Sequence, residues 1–161
     1  MRVLAVDPGY GRAGVAVLER KNGKDILLYS SCVVTDATTD FSNRLKAVVD
    51  AVEKLFNTFT PNLFALERLY LTNNQKTAMR VAEVCGALIA LAAAQHIPIV
   101  EYTPLQVKVA ITGYGKSGKH EIMRMVPKLI KMEEKKRLDD EYDAIAIGIT
   151  ALASYKRKPG V

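Results

Sequence analysis

Two carboxylates in this sequence directly follow short apolar runs. Asp7 follows residues 2–6 (RVLAV), and Glu67 follows residues 63–66 (LFAL). Continuous apolar runs of this length are typical of strands buried on both faces of a sheet. Ligands in open α/β sheets bind outside the carboxyl ends of the strands. Both acids are therefore candidates for a functional site at one edge of a sheet.

Each of these acids also has a simpler interpretation. Asp7-Pro8-Gly9 is by itself an ordinary turn sequence. A carboxylate at the end of a buried strand needs a cation to offset its burial, and Arg68 or Arg80 could supply that charge to Glu67. Neither acid alone establishes a catalytic site.

A second acidic group begins the last predicted helix. Asp140 and Asp143 stand three residues apart, which places them on the same helix face about one turn from each other. Acidic residues are also favoured at helix N-termini by the macrodipole, and we expect Asp139 to serve as the cap. Asp139 remains the alternative to Asp140 as a site residue.

The four acids together suggest a metal site. Carboxylates a few ångströms apart resist joint ionisation unless a cation lies between them. Oxygen ligands suit Mg²⁺ or Mn²⁺. No competing set of ligands is visible, because His96 and His120 are isolated and expected to be solvated, and Cys32 and Cys85 lack metal-ligand spacing. The two cysteines are predicted to be reduced, buried thiols of a cytoplasmic protein.

The elements that must position these acids follow from hydrophobic spacing and turn residues. Three strands come first, at residues 2–6, 13–19 and 26–34, and a helix follows at 41–56. Then come a strand at 63–66, a long helix at 74–95, a strand at 97–101, and three helices at 104–111, 119–132 and 139–155. Helices that connect strands imply parallel pairing. The predicted fold is α/β, with a mixed five-stranded sheet flanked by helices.

Basic residues cluster in the last third of the chain. The formal net charge is +6, and residues 116–137 contain eight basic and three acidic residues. Such a cluster is the footprint of a polyanionic partner, although a solvated helix face is an equally ordinary explanation. Lys116 and Arg124 in this cluster are predicted DNA contacts. A second basic group, residues 156–158, lies near the end of the chain. We predict a single domain over residues 1–156, followed by a short basic tail at 157–161.

Residues 113–119 resemble a nucleotide-binding P-loop but lack two of its features. His120 follows Lys119 where a Ser or Thr is required, and residues 104–111 before the loop are predicted to be helix and not strand. We interpret this stretch as a flexible, positively charged loop that faces DNA.

Seven short motifs, in order and at family spacing, resemble the RuvC family of Holliday-junction resolvases. They cover nearly the whole chain: 6–9 (VDPG), 14–16 (GVA), 66–70 (LERLY), 101–104 (EYTP), 106–108 (QVK), 112–115 (TGYG) and 140–146 (DEYDAIA). The resemblance implies a ribonuclease-H-like fold and a crossover junction endodeoxyribonuclease active in homologous recombination and DNA repair.

The resemblance also implies roles for individual residues. Asp7, Glu67, Asp140 and Asp143 correspond to the catalytic, metal-binding carboxylates. Tyr70 takes the place of an aromatic residue that stacks on junction bases, and Lys108 and Lys119 match basic residues near the scissile phosphate and along the DNA backbone. The helix at 82–94 matches a dimer interface, with Cys85, Gly86, Ala90 and Ala93 on the contact surface.

The implied mechanism is two-metal phosphodiester hydrolysis with Mg²⁺, two ions per site, for which Mn²⁺ can substitute. It leaves 5′-phosphates, and a two-fold homodimer would make paired nicks in four-way junction DNA. The implied partners are four-way junction DNA and the branch-migration helicase complex of RuvA and RuvB, with no membrane involved.

Three alternatives remain at this stage. A ribonuclease-H-like nuclease of the YqgF type would act on RNA, but Tyr70 and the Lys108 and Lys119 elements speak against it. A non-catalytic junction-binding module would lack one of the four acids. A sugar-kinase-like or actin-like phosphotransferase also begins with Asp-x-Gly, but its two-domain architecture needs a longer chain than 161 residues.

Overall fold

A five-stranded sheet in the order β3-β2-β1-β4-β5 forms the centre of the protein. The structure is a computed structural model and describes residues 1–68 and 75–155. The strands are β1 (Arg2–Asp7), β2 (Arg12–Lys21), β3 (Lys24–Val34), β4 (Leu63–Glu67) and β5 (Ile99–Tyr102). All five were predicted from the apolar runs and the turns between them.

The sheet is mixed, as predicted. The first three strands pair antiparallel, and the β2–β3 turn at Asn22 and Gly23 has φ of 52° and 73°, the positive values that a tight hairpin turn requires. β4 pairs parallel with β1, and β5 pairs parallel with β4. The central strand β1 therefore has a neighbour on each side and is buried from Val3 to Val6.

Helices cover both faces of the sheet. On one face, α1 (Phe41–Phe59) and α2 (Gln75–Ala94) enclose a cluster with the side chains of Leu4, Val6 and Leu66. On the other face, α3 (Pro104–Thr112), α4 (Lys119–Leu129) and α5 (Asp139–Ser154) enclose a second cluster. These layers, with the sheet order, confirm the predicted α/β fold.

The helix α5 lies directly on the centre of the sheet. Every residue from Ala144 to Leu152 is buried. A Cβ added at Gly148 would lie 2.3 Å from Leu18 Cδ1, so only glycine allows this close packing of the helix on β2. The close packing of α5 on the sheet fixes the position of its N-terminal residues, which include Asp139, Asp140 and Asp143.

The helix α2 is long and apolar enough to meet the length and composition test for a membrane span. Here it connects β4 and β5, two adjacent parallel strands of one sheet, so it packs against that sheet. Val84, Leu88 and Ala92 form its buried stripe. Much of its remaining apolar surface is exposed, which agrees with the expectation that this helix needs further cover.

Three details differ from the sequence-based predictions. The helix α4 ends at Leu129 and not near 132, because the backbone is extended at Ile130 and Lys131 pairs with Ile26 of β3. The N-cap of α5 is Leu138 and not Asp139. Cys32 and Cys85 are free, as predicted, but only half-buried.

Candidate active site

Asp7 and Glu67 lie side by side at one edge of the sheet. Val6 pairs with Leu66 in the parallel register of β1 and β4, so the next residue on each strand is an acid. β1 ends at that point because Pro8 has no N–H to donate to the ladder. β4 ends there because the chain leaves the sheet after the amide of Arg68 donates to the carbonyl of Tyr102. The prediction that two strand ends bring these acids together is therefore confirmed as geometry.

The start of α5 brings Asp140 and Asp143 to the same edge. Gly14, which pairs with Asp7 across the β1–β2 ladder, makes this possible. A Cβ at Gly14 would lie 1.8 Å from the backbone oxygen of Asp140, so the first turn of α5 rests directly on bare backbone.

The acids influence one another electrostatically. The pKa of Asp7 is raised from 3.8 to about 7, chiefly by burial and then by the charges of Glu67, Asp143 and Asp140. Burial also raises the pKa of Glu67, and the charge of Asp143 adds to that effect. Burial likewise raises the pKa of Asp143. Like charges in a partly dry site resist joint ionisation, as the sequence suggested.

Three cationic side chains partly offset this charge. Arg12 Nε lies 3.1 Å from Asp140 Oδ2. Lys119 Nζ lies 3.5 Å from Asp143 Oδ2, and this lysine lowers the pKa of Asp7, Glu67 and Asp143. The charge of Lys108 also lowers the pKa of Glu67.

A cleft of about 200 Å³ opens beside the acids. Its lining includes Glu67, Asp143, Lys108 and Lys119, so carboxylates and amines face the same space. A larger cleft of about 480 Å³ lies near Met132 and Arg137 and contains none of the predicted site residues. We assign the chemistry to the smaller cleft because the perturbed acids line it.

The chemistry of these four acids fits a divalent metal, although their side chains are not arranged as a finished ligand shell. Within residues 1–68 and 75–155, no three His, Cys, Asp or Glu side chains are placed to hold a metal ion as they stand. Asp140 and Asp143 are turned towards Arg12 and Lys119. A dication among the four carboxylates would offset the mutual repulsion that, after burial, raises the pKa of Asp7.

The other predicted site residues are less central. Lys116 and Arg124 are exposed, on the loop before α4 and on α4 itself, and other residues line the cleft. Tyr70 lies outside the described residues. Gly86, Ala90 and Ala93 are exposed on α2, and Cys85 beside them is half-buried. His96 and His120 are exposed, as expected.

The loop between α3 and α4 contains hydrogen bonds among its own residues. Ser117 is buried, and its hydroxyl lies 2.7 Å from the hydroxyl of Thr112 and donates to the Tyr114 carbonyl at 2.8 Å. The capped helix α3 precedes it, where a P-loop would have a strand. The helix before the loop supports the rejection of nucleotide binding.

The sequence of the chain matches a family model along most of its length. Residues 3–151 match the model described as crossover junction endodeoxyribonuclease RuvC. The chain belongs to the RuvC family. RuvC proteins that resemble it include one from Moorella thermoacetica, 36% identical over 92% of this chain and 89% of the relative. Another is from Petrotoga mobilis, 38% identical over 91% of this chain and 90% of the relative.

Solved structures give the same fold. Thermus thermophilus RuvC in complex with a Holliday junction substrate superimposes with a TM-score of 0.87, at 29% identity, over 94% of this chain and 93% of that one. The yeast mitochondrial Holliday junction resolvase Ydc2 has a TM-score of 0.69 at 15% identity, covers 92% of this chain and 76% of its own, and shows a shared fold alone.

Arg12 is the site residue that the sequence analysis missed. It begins β2, and the antiparallel pairing of Asp7 with Gly14 brings the start of β2 to the edge where β1 ends. Antiparallel pairing of two consecutive strands places the residues shortly after the turn near Asp7. The signal was therefore present, but nothing in the local sequence linked Arg12 to the distant Asp140.

Proposed function

We propose that this protein resolves four-way DNA junctions as a divalent-metal-dependent endonuclease with Asp7, Glu67, Asp140 and Asp143 as the metal-binding acids. The observation that carries the proposal is the convergence of these four acids, from two strand ends and one helix start. Two of them, Glu67 and Asp143, line one cleft with Lys108 and Lys119. Membership of the RuvC family supports the reaction.

Each side chain has a chemical task in this proposal. The four carboxylates would bind Mg²⁺, two ions per site, which supply an activated water and neutralise the leaving 3′ oxygen. Lys108 and Lys119 line the cleft and bind the phosphate flanking the scissile bond.

We further propose that two copies associate through α2. Gly86, Ala90 and Ala93 are exposed on this helix and carry little or no side chain, so the backbone of a second copy could approach closely. A two-fold dimer places one cleft at each of two related strands, which suits a substrate with two-fold symmetry. Paired nicks that leave 5′-phosphates are the expected product.

The family resemblance supports further parts of the proposal. Tyr70 would stack on an unpaired base at the junction centre, an interaction that contributes about 1–3 kcal/mol per base. Tyr70→Ala should then lose cleavage without loss of stability, and Tyr70→Phe should cut normally. The branch-migration complex of RuvA and RuvB in the cytoplasm is the proposed setting.

One assay tests the main proposal. A synthetic four-way junction is incubated with the purified protein, with Mg²⁺ or with EDTA, and a linear duplex of the same sequence serves as the control. We expect two symmetric nicks in the junction with Mg²⁺ only, and products that DNA ligase can reseal. Cleavage of the duplex at an equal rate, or of an RNA substrate in preference to DNA, would contradict the proposal.

A further inference from the structure

Asp139 bridges two cations that belong to different elements. Its Oδ2 lies 3.0 Å from Lys119 Nζ at the start of α4. Its Oδ1 lies 3.4 Å from an Nη of Arg12 at the start of β2. The carboxylate of Asp139 thus joins the starts of β2, α4 and α5.

The same two cations also contact proposed metal ligands. Arg12 pairs with Asp140 at 3.1 Å, and Lys119 lies 3.5 Å from Asp143. A carboxylate that binds a dication shares its charge with the metal, and its attraction for a neighbouring cation falls accordingly. With a metal bound, Asp140 and Asp143 would therefore hold Arg12 and Lys119 less strongly.

Asp139 differs from those ligands in its surroundings. The side chain of Asp139 is 35% exposed, whereas those of Asp140 and Asp143 are 15% and 27% exposed. Asp139 pairs with both cations, at 3.0 Å from Lys119 Nζ and 3.4 Å from an Nη of Arg12. Its side chain faces the two cations on the rim of the site.

We propose that Asp139 is a positioning residue, not a metal ligand, and that it holds Arg12 and Lys119 towards the scissile phosphate while the other acids bind the metal. The proposal rests on the metal site proposed above. Long cationic side chains lose rotational freedom when they bind a phosphate, and a carboxylate that already orients them lowers that entropic cost. Exposed ion pairs contribute little to stability, so this function is separable from folding.

Asp139→Asn tests the proposal against a matched control. Single-turnover cleavage of a synthetic four-way junction at saturating protein should fall about tenfold, equivalent to about 1.4 kcal/mol in the barrier. The Mg²⁺ concentration for half-maximal rate should stay the same, and junction binding in EDTA should be unchanged or tighter. Glu134→Gln, which removes the same charge from an exposed site, should change none of these quantities.

A second pair of variants separates positioning from a structural role. In a Lys119→Ala, Arg12→Ala background, Asp139→Asn should slow cleavage by less than twofold, because the cations that it orients are gone. Asp139→Glu should recover much of the rate. An undiminished loss in that background, or a fall in Tm of many degrees, would overturn the proposal.

Two further outcomes are decisive. Complete loss of cleavage with a raised Mg²⁺ requirement would make Asp139 a ligand and refute the positioning role. If the wild type left junctions uncut, the proposed function would fail instead, and the bridge itself would be tested by NMR of the Lys119 ammonium group. That signal should be protected from exchange in the wild type and lost in Asp139→Asn, and its persistence in the variant would refute the bridge.

Discussion

At the scale of single residues, the four acids of the site differ in kind from the acids on the surface. Asp7 is largely removed from solvent and surrounded by like charge, and this environment raises its pKa to about 7. A group in this environment destabilises the folded state when it ionises. A carboxylate that costs stability is retained for chemistry more readily than for folding.

We predict that the metal-binding acids are essential for cleavage and dispensable for folding. Asp7→Asn, Glu67→Gln and Asp143→Asn should each abolish cleavage of a four-way junction in Mg²⁺. Junction binding should persist or tighten, because negative charge near the phosphates is removed. Gel-shift and cleavage assays on the same folded preparations measure both effects. A folded Asp7→Asn protein that cuts at nearly the wild-type rate would exclude Asp7 from the site.

Metal-free stability should depend on pH through Asp7. The folded protein holds this proton up to about pH 7, whereas the unfolded chain releases it near 3.8. The folded state therefore binds more protons between these values, and this group's contribution to the free energy of unfolding falls as pH rises from about 4 to about 7. In EDTA at pH 8, Asp7→Asn should be more stable than the wild type, by a difference on the order of 3 kcal/mol.

Thermal or urea unfolding at pH 4 to 8 measures this effect. Glu53→Gln, an exposed acid of α1, is the control and should leave the pH profile of the wild type unchanged. Mg²⁺ should restore wild-type stability at pH 8 and do less for Asp7→Asn. Equal pH profiles for wild type and Asp7→Asn in EDTA would show that Asp7 ionises normally.

At the scale of elements, the sequence predicted the fold well because each element carries its own local signal. Apolar runs marked the buried strands, and Thr103-Pro104 marked the start of α3, where Thr103 Oγ1 accepts from the amide of Gln106 at 3.2 Å. The end of α4 was wrong because it depends on Lys131 pairing with Ile26, a contact between residues far apart in the chain. The local spacing of apolar residues does not indicate a contact between residues so far apart in the chain.

The site was predictable only in part for the same reason. Its acids follow strands and begin a helix, so their convergence follows from the topology. The pairing of Arg12 with Asp140 and the bridge through Asp139 depend on side-chain geometry across three elements. The role of the buried Glu141 was also not predicted. Its carboxylate accepts a hydrogen bond from Ser30 at 2.8 Å, which connects α5 to β3.

The close packing of α5 on β2 leads to a prediction about Gly14. In Gly14→Ala, the added Cβ would lie 1.8 Å from the backbone oxygen of Asp140, so the first turn of α5 must move. Overpacking of this kind costs about 1–3 kcal/mol, and the moved turn should also weaken cleavage in Mg²⁺. Asn57→Ala, at an exposed position of α1, is the control, and its stability should equal or exceed that of the wild type. Full stability in Gly14→Ala would contradict this account of the packing.

At the scale of the whole molecule, the basic helix α4 and the apolar helix α2 lie on opposite faces of the sheet. The basic helix α4 lies on one face with α3 and α5, and α2 lies on the other with α1. In the proposed function, DNA and the second copy would therefore contact opposite faces of the sheet. Both interactions can therefore be tested by separate variants.

Binding to DNA should weaken steeply with salt, and Lys119 should contribute to that dependence. Each phosphate contact adds about 0.9 to the slope of log K against log salt. Lys119→Ala should reduce the slope by about that amount and weaken binding equally on junctions of different sequence. Lys54→Ala on α1, an exposed lysine on the opposite face, is the control. Fluorescence anisotropy in EDTA at several salt concentrations gives the slopes, and an unchanged slope would place Lys119 away from the DNA.

Dimerisation through α2 is the last prediction, and Ala90 is the position that tests it best. Ala90 is exposed on the face that also carries Gly86 and Ala93. In an isologous interface each substitution occurs twice about the two-fold axis, so Ala90→Glu would bring two new charges into a surface that must lose its water. The substitution should therefore convert a dimer into a monomer without unfolding the chain.

Sedimentation velocity at micromolar concentration measures the change. The wild type should sediment with the mass of two chains and Ala90→Glu with the mass of one. Thr58→Glu, at an exposed position of α1, is the control and should remain dimeric. The monomeric variant should keep the metal-binding acids intact but make the two nicks of a junction independently, since no second cleft is held in register with the first. A wild type that is strictly monomeric, or an Ala90→Glu variant that remains dimeric, would exclude α2 as the interface.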